Sequence, residues 1–128
     1  MILIIDTTDR QVAFGLKKNQ TLLIQIFKQA DIFKSFSSFL KRYRFNIDDI
    51  DIIIVNHGPG YFTSTRIGVT FANTFSYIEG IPLIGVSAEH KNVQKRLKLL
   101  IKKSKYISPS FAPVFPIYNK PPNITYSK

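Results

Sequence analysis

The stretch Ile50-Asp51-Ile52-Ile53-Ile54-Val55 carries almost nothing but β-branched side chains and ends at Asn56-His57-Gly58-Pro59-Gly60. A run this apolar has no side to turn to water, so it is expected to be a strand buried on both faces, in a parallel sheet covered by helices. The Gly-Pro-Gly turn hands over to a helix over about residues 62–78. There Ile67, Phe71, Phe75 and Ile78 share one side, and Gly68, Ala72 and Ser76 mark the neighbouring side at four-residue spacing. Small residues spaced this way would let another helix approach closely.

The rest of the chain fits around that unit. Apolar runs at 2–5, 12–16 and 22–27 are separated by Thr7-Thr8-Asp9-Arg10 and Lys17-Lys18-Asn19-Gln20, which predicts three strands joined by hairpin turns. From the N-cap candidate Asp31 the pattern turns helical, with Phe33, Phe36, Leu40 and Tyr43 on one face and an end near Phe45-Asn46. Residues 82–86 supply a fifth strand, and Ser87 is the expected cap of a basic helix over about 88–103. Beyond Ser104, Pro109, Pro113, Pro116, Pro121 and Pro122 exclude both a helix and an inner strand. Because Phe111, Val114, Phe115, Ile117 and Tyr118 are too apolar for a free linker, part of this tail should lie along the body or on a partner.

The order of elements places an antiparallel meander beside two right-handed crossovers. That predicts a single α/β lobe of ribonuclease-H-like (actin-like ATPase) type over 1–104, with a five-stranded mixed sheet, and an extended Pro-rich tail over 105–128. A chain of 128 residues is the size of one domain.

No stretch approaches the ~18 apolar residues of a membrane span. The opening apolar run meets Asp6 at once without a basic flank, unlike a secretory signal, so a cytoplasmic protein is expected. With no cysteine there is neither a disulfide nor a thiolate metal site. The formal charge of +10 favours acidic partners such as RNA. It concentrates in residues 91–105, where Lys91, Lys95, Lys98, Lys102 and Lys103 are candidate RNA contacts and Arg96 and Lys105 add to the run. The competing reading is a solvated helix face.

Signals for catalysis are sparse. Asp6 ends the first strand, where nucleases and ATPases of this architecture use a carboxylate to hold a divalent cation. Such a cation needs several converging oxygens. The neighbouring strand offers Asn56-His57 there, and Asp48, Asp49 and Asp51 stand at its opposite end, roughly 15–20 Å away at ~3.3 Å per residue. His57 and His90 lack the spacing of a helical metal pair. His57 stands at a strand's carboxyl end, where ligand sites gather in open sheets; a helix-start role suits His90. The Gly58-Pro59-Gly60 turn before a helix could hold an anion but lacks the Lys-Ser/Thr of a P-loop. No enzyme, cofactor or metal is therefore expected. A kinase or nuclease relict and an autonomous basic RNA-binding protein stand as alternatives.

Met1-Ile2-Leu3-Ile4-Ile5-Asp6-Thr7-Thr8, Gly58-Pro59-Gly60-Tyr61-Phe62-Thr63-Ser64-Thr65-Arg66-Ile67-Gly68 and Ile81-Pro82-Leu83-Ile84-Gly85-Val86-Ser87 together resemble the TsaB (YeaZ) family in order and spacing. The middle motif is similar to the family's Gly-Pro-Gly-Ser-Phe-Thr-Gly-Leu-Arg-Ile-Gly, with Tyr61, Ser64 and Thr65 as departures. Pro116-Ile117-Tyr118-Asn119-Lys120-Pro121-Pro122 is similar to its closing Pro-x-Tyr-x-Arg. The resemblance implies a non-catalytic scaffold that binds and stabilises the catalytic TsaD subunit, with TsaE as a further partner. Together they form N6-threonylcarbamoyladenosine at position 37 of tRNA. It implies an interface on the first two helices, with Phe36, Leu40, Arg66, Gly68 and Ala72 as partner-binding candidates, and a homodimer where the partner is absent. Family members carry a second lobe that this chain lacks between Val86 and the closing motif, so a shortened member is implied.

Overall fold

The computed structural model describes residues 1–28 and 31–118. Its elements are β1 (Ile2–Asp6), β2 (Gln11–Lys18), β3 (Thr21–Lys28), α1 (Ile32–Tyr43), a 3-10 turn (Ile47–Asp49), β4 (Ile52–Asn56), α2 (Phe62–Glu79), β5 (Leu83–Val86) and α3 (Val93–Ser104). One sheet runs β3-β2-β1-β4-β5. The first three strands are antiparallel neighbours, and β4 joins β1, then β5 joins β4, in parallel. The hairpin turns use left-handed backbone at Arg10 (φ 74°) and Asn19 (φ 55°). This is the expected α/β lobe with its five-stranded mixed sheet.

The sheet has a core on each face, which explains the uninterrupted apolar run. Ile53 and Val55 pack with α1 and α2, whereas Ile54 points the other way and packs with Leu97 and Leu100 of α3. Leu3 and Ile5 against Ile4 repeat the alternation in β1. On the first face the phenyl rings form a cluster: Phe14 lies 5.4 Å from Phe36, 5.6 Å from Phe39 and 6.0 Å from Phe71. Such pairs add about 0.5–1.5 kcal/mol each beyond their area burial.

The helix faces differ from the sequence reading. Asp31 does cap α1, accepting from the N–H groups of Phe33 and Lys34. The buried side of α1, however, is Ile32, Ser35, Phe36 and Phe39, while Phe33 is 67% exposed. One residue of offset turns a helix by about 100°. The aromatic arc of α1 was wide enough to support either choice, and Phe14 beneath it selected the one holding Phe36 and Phe39. The helix also ends earlier, at Tyr43, with Arg44 in left-handed backbone (φ 49°).

In α2 the buried side holds Thr65, Gly68, Val69, Phe71, Ala72 and Ser76, and Ile67 and Ile78 are exposed. The small residues are covered by this chain's own β-layer. Gly68 rides directly on Thr7, where any side chain would collide with the Thr7 hydroxyl, and that hydroxyl donates to the Ser64 carbonyl at 2.6 Å. Two boundaries also move. Pro82 precedes β5, with its carbonyl accepting from Ile53 N. Asn92, not Ser87, caps α3 by accepting from Lys95 N at 2.9 Å, so residues 88–92 are a loop.

After α3 the chain turns back across the body. Ser110 makes an antiparallel bridge with Leu83, and Tyr118 a parallel one with Gly60. Residues 119–128 of the expected tail, with Lys120, Pro121 and Pro122 of the closing motif, lie outside the described residues. Among the described residues no helix is long and apolar enough to cross a membrane.

Candidate functional site

Asp6 and Asn56 end the two central parallel strands and follow Ile4 and Ile54 in the alternation that faces α3. Both are buried. Arg96, in the first turn of α3, reaches down between them. Its Nε donates to Asp6 Oδ2 at 2.7 Å and its NH2 to Asp6 Oδ1 at 3.2 Å, while Asn56 Nδ2 donates to Oδ2 at 2.9 Å. The Thr8 amide and hydroxyl both donate to Oδ1, at 3.0 and 2.8 Å. The guanidinium is completed by Asp9 Oδ2 at 3.0 Å and the His90 carbonyl at 2.9 Å. Burial acts to lower the Arg96 pKa, but the hydrogen bonds and negative charge of Asp6 and Asp9 outweigh it and leave the group above its ordinary value.

A cation beside Asp6 would therefore meet a carboxylate whose two oxygens are already engaged, with a fixed positive charge against it. Mg²⁺ takes six oxygens in near-octahedral geometry. The residues here do not fit the divalent cation that this architecture implies. Among the described residues no group of three or more His, Asp or Glu side chains converges as a metal site. Arg96, read in the sequence as one cation of a basic run, is instead the counter-ion of the strand-end carboxylate. The signal was present: with Leu97, Leu100 and Ser104 it occupies the buried stripe of an otherwise basic helix.

Next to this pair an open depression of about 400 Å³ is lined by Thr8, Asp9, Gly60, Tyr61, His90 and Lys91. Arg10 stacks on the Tyr61 ring at 4.1 Å. His90 precedes the helix and caps its approach, its Nδ1 accepting from Asn92 N at 2.9 Å. His57 stands apart and half-buried: burial lowers its pKa, and a hydrogen bond to the Phe115 carbonyl acts in the opposite sense. Asp48 and Asp49 lie in the 3-10 turn, and Asp51 pairs with the Met1 amino group at 2.7 Å, far from Asp6 along the strand.

The partner-binding candidates separate. Phe36, Gly68 and Ala72 are buried within this chain. Arg66 is exposed and lines a groove of about 420 Å³ between α1 and α2 with Phe33, Thr63, Ile67, Phe71 and Thr74. Leu40, half-buried, borders another depression with Arg44, Phe45 and Ile47. Phe33 and Ile67, each on the apolar side of its helix in the sequence pattern, are the large apolar groups exposed on the groove. Lys91, Lys95, Lys98, Lys102 and Lys103 are all exposed, and Lys103 Nζ also donates to the Ser87 carbonyl at 2.7 Å.

A model of the family described as "TsaD: tRNA N6-adenosine threonylcarbamoyltransferase" matches residues 29–100. Curated proteins named tRNA N6-adenosine threonylcarbamoyltransferase are similar over short stretches. The one from Thermodesulfovibrio yellowstonii is 38% identical over 55 residues, covering 43% of this chain and 16% of the relative. That from Bacillus licheniformis is 51% identical over 39 residues, covering 30% and 11%. The matched stretch is thus a small part of each relative. Among solved structures, YeaZ from Pseudomonas aeruginosa superposes with a TM-score of 0.62 at 20% identity, over 68% of this chain and 43% of that one. A protein with similarity to peptidase YEAZ from the same organism gives 0.63 at 18% identity, over 84% and 48%. These likenesses are of the fold. The sequence relatives carry the TsaD name, whereas the motif resemblance pointed to TsaB.

Proposed function

Because the chain belongs to the family described as TsaD, tRNA N6-adenosine threonylcarbamoyltransferase, we propose that it acts in that tRNA modification as a TsaB-type, non-catalytic subunit. In this reading it binds a catalytic TsaD protein in the cytoplasm and favours the partner's active state rather than transferring a group itself. The observation that carries the non-catalytic part is the engagement of Asp6 by Arg96, Asn56 and Thr8. A nucleotide-bound cation would have to displace a buried ion pair to reach that carboxylate. The groove of Phe33, Arg66 and Ile67 between α1 and α2 supports the binding part, since it leaves large apolar side chains open beside a guanidinium. Leu40 extends the candidate surface along α1. Phe36, Gly68 and Ala72 enter it as supports beneath the surface.

The test is co-purification of the full chain with TsaD from the same cell, at low and high salt, with TsaE added in a second arm. A complex that survives high salt supports the groove, because apolar packing tolerates salt and phosphate contacts do not. No complex, or a homodimer that ignores TsaD, overturns the reading. A second reading, an autonomous RNA-binding protein, is favoured by the exposed Lys91, Lys95, Lys98, Lys102 and Lys103. Retention of tRNA by the isolated chain with a steep salt dependence would favour it.

A further inference from the structure

We propose that the surface formed by β5, the middle of α2 and the Gly58-Pro59-Gly60 turn is a peptide-docking site. Its occupant here is the chain's own Ser110–Tyr118 segment, held in cis and exchangeable with a free peptide of the same chemistry. That chemistry is an extended, proline-punctuated strand with one β-branched anchor.

The segment is recognised mainly through its backbone. Ser110 exchanges two hydrogen bonds with Leu83, at 2.8 and 3.0 Å. The Asn73 side chain reads both main-chain groups of Val114: its Nδ2 donates to the carbonyl at 2.8 Å, and its Oδ1 accepts from the amide at 2.9 Å. Ile117 N donates to the His57 carbonyl at 2.6 Å, and the Tyr118 ring lies 4.6 Å from that of Phe62. Main-chain pairing plus a few side-chain pockets is how peptide-recognition surfaces hold an added strand.

The side chains behave as a ligand's do. Val114 is the anchor that joins the hydrophobic core, and it sits over Gly85, where an added Cβ would stand 2.7 Å from Val114 Cγ1. Phe111 and Phe115 point outward, 67% and 73% exposed, so the segment gives little of its apolar bulk to the fold. Each residue whose amide is read, at 110, 114 and 117, directly follows a proline, at 109, 113 and 116. Proline has no N–H of its own to satisfy and fixes φ, so the strand arrives pre-extended with less entropy to lose on docking.

The experiment uses the full chain with a specific protease site replacing Lys105-Tyr106-Ile107, folded first and then cut. The expected result is that the released fragment stays with the body on gel filtration and is displaced by a labelled peptide of sequence 108–118. A peptide carrying Val114→Asp should not displace it. Asn73→Ala in the body should weaken retention roughly 30-fold, the equivalent of two lost hydrogen bonds. In a parallel arm the uncut chain should refuse micromolar peptide, since its own tail competes at about millimolar effective concentration. The uncut Val114→Asp chain should accept it. A cut chain that unfolds, a fragment that no peptide displaces, or an uncut Val114→Asp chain that refuses the peptide would make the segment a fixed part of the fold and overturn the proposal.

Discussion

Arg96 sets its Nε 2.7 Å from Asp6 Oδ2 across ninety residues of chain, with 4% and 0% of the two side chains exposed. Two charges so placed are far more costly to separate than to keep, because removing one strands the other away from water.

Arg96→Met should therefore cost about 3–5 kcal/mol in urea unfolding, and Asp6→Asn added to it should recover part of that loss. Equal stability of the single and double variants would contradict the pair's role.

His57 gives the native chain a pH dependence. Its folded pKa is lowered from 6.5 by burial, against the Phe115 hydrogen bond. The unfolded state therefore binds more protons. The contribution is fully present above the unfolded value and is lost as pH falls through 6.5 toward the lowered one. The melting temperature of the native chain should fall relative to that of His57→Gln as pH drops through that window. Parallel curves would remove His57 from the account.

For partner binding, Arg66→Glu and Ile67→Asp are exposed changes expected to alter stability by no more than about 0.5 kcal/mol while weakening capture of TsaD. Gly68→Arg is the wrong probe, since the side chain would be driven into Thr7 and loss of pairing would merely report loss of fold. Circular dichroism alongside pull-down separates the two. Full capture by the folded Ile67→Asp chain would exclude the groove.

Reversal of Lys98, Lys102 and Lys103 to Glu should lower tRNA retention and reduce the log–log salt slope by about 2–3 if all three contact phosphate. Lys103 alone also holds the Ser87 carbonyl, so Lys103→Glu should show a small stability loss that Lys98→Glu does not. An unchanged slope would leave this helix face simply solvated.

The Asn92 cap of α3 is worth about 1 kcal/mol on substitution by Ala, and Ser87→Ala should cost less, because Ser87 caps nothing here. Thermal melts of the two variants order the caps directly.

The sequence by itself determined the order and type of the elements. The apolar runs at 2–5, 12–16 and 52–55 and the turn residues at 7–10, 17–20 and 58–60 report backbone preference, which is local. It also showed that Asp6 had no acidic partner on the next strand, since Asn56 could be read there directly. The tertiary structure alone decided which neighbour each face would meet. The arc of α1 admitted two inward sides until Phe14 took one. The ridge of Gly68 and Ala72, suited to any close approach, was filled by β1 and its turn. Arg96 looked like one basic residue among seven until a carboxylate ninety positions away fell beneath it. Local pattern encodes polarity and period, whereas the partner of a buried charge or a small residue is a property of chain segments that meet only when the sheet has formed.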